Sequence, residues 1–371
     1  MAWSDSLERI FELVRKELIQ ILREPRVRRM IVVTPMIQLV IFGYAVSTDI
    51  RHTPTFVVDH DKTRDSRELI EAFVASGYFR VVGRSDRPSD LISALDHGDA
   101  IAGLEIPAGY AAALQGGKGA AVQIVLDGTQ SNTATVARGY AERIVQSVAA
   151  RAAGAPPPAV DLRERAWFNP DLASRNYNVP AVVGTIILLV CLLLTSLAVV
   201  REREIGTLEQ LMVSPLTPGE LIAGKTIPFA LVGIMDLALV TTVALLWFGI
   251  PFAGSACLLF GASVLFLLSA LGVGLLVSTV SNTQQEAFMA TLLIFQPTML
   301  LSGFMFPVSG MPEAFQWITL ANPLRHYLEI VRGIFLKGAG FDLLWPQYAA
   351  LLVMGMVILW FASTRFRKRM G

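Results

Sequence analysis

Along the chain, long charge-free apolar stretches alternate with polar segments of two different periodicities. Residues 4–24 repeat apolar side chains every three to four positions: Leu7, Ile10, Phe11, Val14, Leu18, Ile21 and Leu22 share one face. Glu8, Arg9, Glu12, Arg15, Lys16 and Arg23 take the remainder. This spacing predicts an amphipathic helix, capped by Asp5 with Glu8 and ended by Pro25. Basic residues directly ahead of an apolar run favour a place in the membrane interface over packing on soluble protein. Met30 to Val46 follows, 17 residues without a charge, or about 25 Å of helix. The helical lead of 29 residues argues against a cleaved signal peptide with Ala45-Val46-Ser47 as its site, so the run reads as a signal anchor.

Residues 47–178 change character. Short apolar runs (Thr55 to Val58, Phe79 to Val82, Ala100 to Leu104, Val122 to Leu126) alternate with helical patterns (Ser66 to Ala75, Ser89 to Leu95, Tyr110 to Leu114, Thr133 to Arg151). Four strand–helix pairs predict a compact α/β domain. Ala153 to Pro158 is a linker, and the stretch to Asn178 is a return path to the membrane. Asp59, Asp61, Asp86, Asp90, Asp96 and Asp99 are dispersed and read as solvated, with no catalytic constellation. Binding of a substrate or an adaptor protein is one reading of this domain; a passive, shape-giving role is the other.

Val179 to Val200 is 22 residues without a charge. Leu237 to Gln285 carries none over 49 residues, roughly 74 Å as one helix, so it must fold back on itself. Gly249-Ile250-Pro251 is the natural turn, and Ser281 to Gln285 makes the next. The expected architecture is an α-helical integral membrane protein with six transmembrane helices: 30–46, about 179–200, 227–249, 255–279, 287–306 and 346–364. The α/β domain lies between the first and second. Residues 307–345 are too polar to span yet rich in aromatics, which suits short re-entrant or interfacial helices.

Composition agrees: 53% hydrophobic and 16% charged residues, with mean hydropathy +0.54, are too apolar for a soluble chain. The net charge of +1 excludes nothing, because the charges are segregated by region. Cys191 and Cys257 fall in apolar runs and imply no disulfide framework. His52, His60, His97 and His326 form no metal-ligand cluster, and no nucleic-acid partner is implied. Seven basic residues precede the first span, four follow the last, and Arg201, Arg203 and Lys225 mark the central loop. The positive-inside rule therefore puts both termini and that loop in the cytoplasm and the α/β domain outside.

The loop 201–226 is a short polar stretch pinned between two spans. Ile205, Leu208, Leu211 and Met212 recur at helical spacing and offer a surface to grip, the alternative being an ordinary solvated loop. Here the pattern Arg203-Glu204-x-Gly206-Thr207-Leu208-Glu209-x-Leu211, followed by Ser214-Pro215-Leu216 and Gly224-Lys225, resembles the cytoplasmic loop of ABC-2 transporter permeases. Leu301-Ser302-Gly303, Phe306-Pro307, Met311-Pro312, Gln316, Asn322-Pro323, Tyr327, Arg332 and Lys337-Gly338 resemble the same family. The resemblance implies that Arg203, Glu204, Gly206, Thr207, Leu208, Glu209, Leu211, Ser214 and Pro215 couple the chain to an ATPase subunit. It also implies a second permease protomer, with ATP and Mg bound only by the ATPase, and no cofactor in this chain.

The same stretch satisfies the P-loop pattern G-x-x-x-x-G-K-[ST] at Gly219 to Thr226. A working P-loop follows a strand and turns its backbone N–H groups toward phosphate. Here two X-Pro pairs precede it and a membrane span follows, so no nucleotide site is expected. The leading function is the permease subunit of an exporter for a hydrophobic or amphipathic substrate in a bacterial inner membrane. A periplasmic adaptor and membrane lipid are further expected contacts. Asp236 and Gln296 are the candidate polar site inside the spans. A carboxylate at mid-span costs about 2.5–3.5 kcal/mol on insertion scales, so Asp236 supports an alternative, an ion-coupled secondary transporter. That alternative lacks an evident basic partner and a visible inverted repeat. A membrane-anchored sensor or scaffold ranks last, because it needs one or two spans rather than six.

Overall fold

The structure is a computed structural model and describes residues 2–45, 52–116, 119–129, 131–152, 167–169, 174–206 and 217–370. The chain forms two compact units, Met1–Ser47 together with Ala166–Gly371, and Thr48–Arg165.

The second unit builds β1 (Thr53–Asp59), α3 (Arg64–Ala75), β2 (Phe79–Ser85), α4 (Pro88–Asp96), β3 (Ala102–Ile106), α5 (Tyr110–Gln115), β4 (Gln123–Leu126) and α6 (Ser131–Ala152). The strands lie in the order β2-β1-β3-β4, with β1 parallel to both neighbours and β4 antiparallel to β3. Val57, Leu69, Phe73, Phe79, Leu104 and Ile106 form its core. Two of the aspartates expected to be solvated are instead bound to the backbone. Asp59 accepts the Ser66 hydroxyl (2.8 Å) and the N–H groups of Asp61 and Lys62. Asp61 accepts the Thr63 hydroxyl (2.5 Å) and the N–H groups of Gly109 (2.8 Å) and Ala111 (3.1 Å). Asp59 thus braces the loop after β1 against the start of α3, and Asp61 ties that loop to the start of α5, where helix N-terminal N–H groups need acceptors.

The first unit starts with α1 (Ala2–Arg23), which begins ahead of Asp5, so Asp5 lies in the first turn and is not its cap. Glu24 is extended, and Pro25 opens α2 (Pro25–Val40), where its missing N–H costs nothing. A π-helical turn, Ile41–Ala45, continues α2. The longest helix, α7 (Ser174–Ile205), has 32 residues and is apolar on all sides from Val179, so neighbours enclose it nearly throughout. Next come α8 (Pro218–Leu246), α9 (Ala256–Val280), α10 (Gln284–Leu300), α11 (Glu313–Thr319), α12 (Pro323–Arg332) and α13 (Phe341–Met370).

Among the described residues, five helices are long and apolar enough to cross a membrane: Val27–Tyr44, Ser174–Ile205, Gly219–Leu246, Ala256–Val280 and Phe341–Arg365. The stretch expected as a span at 287–306 is α10, which stops at Leu300 after 17 residues. Its chain then turns through Gly303, held at φ +80°. The last helix starts at Phe341, ahead of Pro346, which sits inside it.

The segment read as re-entrant contains the strongly amphipathic α12, whose apolar face is enclosed by protein. Tyr327 is fully buried, stacks on Phe266 at 4.3 Å and shares a 2.7 Å hydrogen bond with Ser263 on α9. At the end of α12, Arg332 donates to the Gly303 carbonyl (3.1 Å) and lies 3.7 Å over the Tyr177 ring at the start of α7. The Tyr177 hydroxyl also donates to Gly303 (3.3 Å), so this end of α7 is fixed to the turn after α10.

Candidate coupling site at the roots of the central loop

Both ends of the central loop are built from ordinary helix-terminal chemistry. α7 ends at Ile205, and Gly206, at φ +80°, takes the left-handed conformation that stops it. α8 opens with a capping box. Thr217 accepts the Glu220 N–H (3.3 Å), and the Glu220 carboxylate accepts the Thr217 N–H (2.7 Å). Thr207, Leu208, Glu209, Leu211, Ser214 and Pro215 lie outside the described residues.

The N-terminal helix α1 clamps these two roots together. Glu220 also accepts the Ser6 hydroxyl (2.5 Å) and the Arg9 guanidinium (2.7 Å). One turn further along α8, Gly224 leaves room for Leu13: a Cβ added there would sit 2.3 Å from a Leu13 methyl. The next residue, Lys225, is 2% exposed. Its ammonium lies 2.6 Å from Glu202 on α7 and 3.3 Å from Glu17 on α1. Lys16 reaches both carboxylates from the exposed side, at 3.5 and 3.6 Å. Arg201 pairs with Glu24 where α1 gives way to α2. The result is a buried ion network joining three elements. Such a network specifies one docked geometry, because removing a single partner strands a buried charge.

The helix α1 therefore docks through a face rotated from the one the apolar periodicity selects and sharing only its edge at Ile21. Leu13, Glu17 and Ile21 are buried at four-residue spacing, whereas Leu7, Phe11 and Leu22 remain exposed. Glu17 passed unnoticed because an acid on a charged helix reads as solvated. Its position between Leu13 and Ile21, one turn from each, was the available signal.

Gly219 to Thr226 is helix throughout, not a phosphate-cradling loop. Lys225 in that pattern is already held between two carboxylates, so its ammonium has a structural task. The earlier motif residues Arg203, half-buried, and Glu204, exposed, reach across to the turn after α9. Arg203 donates to the Ser281 carbonyl at the end of α9 (2.6 Å), and Glu204 accepts the Gln284 N–H (2.8 Å) and its side-chain amide. Asp236 is fully buried on α8, with neither carboxylate oxygen bonded among the described residues. Gln296 is exposed on α10.

The sequence pattern of the family described as "ABC-2 family transporter protein" matches residues 28–364. The "Probable multidrug ABC transporter permease YbhR" of Escherichia coli K12 is 34% identical over 97% of this chain and 99% of its own length. The "Probable multidrug ABC transporter permease YbhS" of the same strain is 33% identical over 90% of each chain. The "Inner membrane transport permease YhhJ" is 29% identical over 98% of each. Matched from the first apolar helix nearly to the end of the last, the chain belongs to the ABC-2 family of transporters, as a multi-pass membrane permease subunit of an ABC exporter.

Proposed function

We propose that this permease moves a hydrophobic or amphipathic molecule, in keeping with the multidrug permeases it is similar to, out of a bacterial inner membrane. ATP, with Mg, is bound and hydrolysed by a separate ATPase subunit that docks on the loop between Gly206 and Thr217. The carrying observation is the clamp at that loop's roots, where Lys225 ties α8 to Glu202 on α7 and Glu17 on α1. A push on the loop then reaches three elements at once.

On this reading α10 completes a set of six spans, spanning about 26 Å with its 17 residues. Both termini and the loop lie in the cytoplasm, and the α/β unit lies outside, where it meets substrate or an adaptor protein. Two copies pair to form the conducting path, and the exposed amide of Gln296 favours a place along it, since an amide facing lipid is costly. The test is reconstitution of the permease with its ATPase in liposomes, with ethidium as the transported probe. Uptake that needs both subunits and ATP is expected; uptake by the permease alone under a proton gradient would overturn the reading.

A second reading, ion-coupled movement through Asp236, is favoured by the enclosure of that carboxylate without a hydrogen-bond partner among the described residues. Asp236→Asn separates the two. ATP-driven ethidium uptake is expected to persist in that variant; uptake by the permease alone under a proton gradient, abolished by Asp236→Asn, would favour the second reading.

A further inference from the structure

Arg203 and Glu204 are consecutive, and they grip the two helix ends of a single turn. The α9 helix ends at Ser281, whose carbonyl accepts the Arg203 guanidinium at 2.6 Å. The α10 helix begins at Gln284, whose backbone N–H donates to Glu204 at 2.8 Å while its side-chain amide donates to the other carboxylate oxygen. The cation thus sits at a helix C-terminus and the anion at a helix N-terminus. That is the arrangement favoured by the unpaired carbonyls and amides of helix ends. Two further donors of the turn are met locally: Thr283 accepts the Glu286 N–H and Glu286 accepts the Asn282 N–H. Beneath the turn, Val200, Val277 and Ala287 form a small buried cluster joining the same three helices.

We propose that Arg203 and Glu204 of the loop motif act within the permease, gripping the turn between α9 and α10, and do not serve as contacts for the ATPase. Gln284 is the positioning residue that receives the movement, so ATP-driven displacement of the loop is delivered through Glu204 to the first turn of α10. This rests on the ATP-driven reading above.

The test exploits the exchange of an acid and an amide. Gln284→Glu opposes two carboxylates and breaks the contact, whereas Glu204→Gln keeps an acceptor for the Gln284 N–H. The double exchange, Glu204→Gln with Gln284→Glu, restores both hydrogen bonds. The complex with its ATPase is purified and assayed for ATP-driven ethidium uptake in liposomes, with the ratio of ATPase to permease measured in parallel. Gln284→Glu is expected to lower uptake per ATP about tenfold or more with the ATPase still bound, as loss of a charge-assisted contact implies. The double exchange is expected to recover most of the wild-type uptake. Should Gln284→Glu fail to assemble, disulfide trapping of Glu204→Cys with Gln284→Cys, in a chain lacking Cys191 and Cys257, gives an independent reading. The trapped pair should form readily and keep uptake, because it holds a contact that persists through the cycle.

Loss of ATPase binding in Glu204→Gln, with no rescue by the double exchange, would place Glu204 on the ATPase and overturn the inference. Wild-type uptake by Gln284→Glu would also overturn it. Absence of ATP-driven uptake in the wild-type complex would instead sink the underlying reading.

Discussion

Lys225 shows how one residue can invite a wrong chemistry and reveal a right one. In the sequence it completes a nucleotide-binding pattern; in the fold its ammonium is enclosed between Glu17 and Glu202. Replacing it with alanine leaves two buried carboxylates facing each other with only the half-exposed Lys16 nearby. Breaking a buried pair from one side costs about 3–5 kcal/mol. Lys225→Ala should therefore lower the unfolding midpoint of the detergent-solubilised permease. Replacing Lys225, Glu17 and Glu202 together by methionine or leucine should restore most of it, which thermal denaturation of the variants will show. A charge that reads as solvated in a sequence is not legible as buried until its partners are known, and these partners lie 208 and 23 residues away. The contacts of Arg203 and Glu204 were hidden for a related reason, because their partners Ser281 and Gln284 lie some 80 residues further along the chain.

Among elements, the strand–helix alternation of the second unit was legible because period 2 and period 3.6 differ over even short runs. All four strands and all four helices fall where the pattern puts them, with ends displaced by a few residues. The docking face of α1 was not legible, because the face chosen is decided by what α8 offers. Gly224 offers a hollow that Leu13 fills. Gly224→Leu should therefore displace α1, since overpacking a tight contact costs typically about 1–3 kcal/mol. Protease cleavage within residues 2–23 should become faster while the helices beyond stay protected.

In the α/β unit, burial alone would raise the Asp61 carboxyl. The Thr63 hydroxyl and the N–H groups of Ala111, Gly109 and Tyr110 outweigh it and hold that carboxyl below its usual range. A carboxyl depressed by folding stabilises the fold above its unfolded pKa, about 3.9, and that contribution is lost as acid protonates it. Amide exchange at Gly109 and Ala111, corrected for its intrinsic pH dependence, should accelerate on acidification below about pH 4. Asp61→Asn should show the faster exchange at neutral pH as well.

For the whole molecule, hydropathy located the apolar helices, and basic flanks suggest their direction. The length of α10 was the part misjudged, because the apolar run continues through the turn at Gly303 after the helix has ended. Orientation is open to a direct measurement in a chain lacking Cys191 and Cys257. A cysteine at Gly128 should react with a membrane-impermeant thiol reagent in intact spheroplasts, and one at Ile205 only after lysis. Reaction in the opposite order would invert the topology.

The 32 residues of α7 make a rod of about 48 Å, against a hydrocarbon layer of about 30 Å. This rod is fastened to α10 twice, through Glu204 at the first turn of α10 and through Tyr177 at Gly303 beyond its last. Two rungs between two uprights make a ladder, and a ladder tilts as a piece. Pivoting at its middle, a tilt of about 10° swings each end of α7 by roughly 4 Å, and α10 must follow. Opening of a path therefore calls for sliding between this ladder and the helices beside it, a shear rather than a hinge within it. The small side chains that let α7 approach its neighbours, Gly233 against Cys191 and Gly274 against Thr195, mark where that sliding would be felt first.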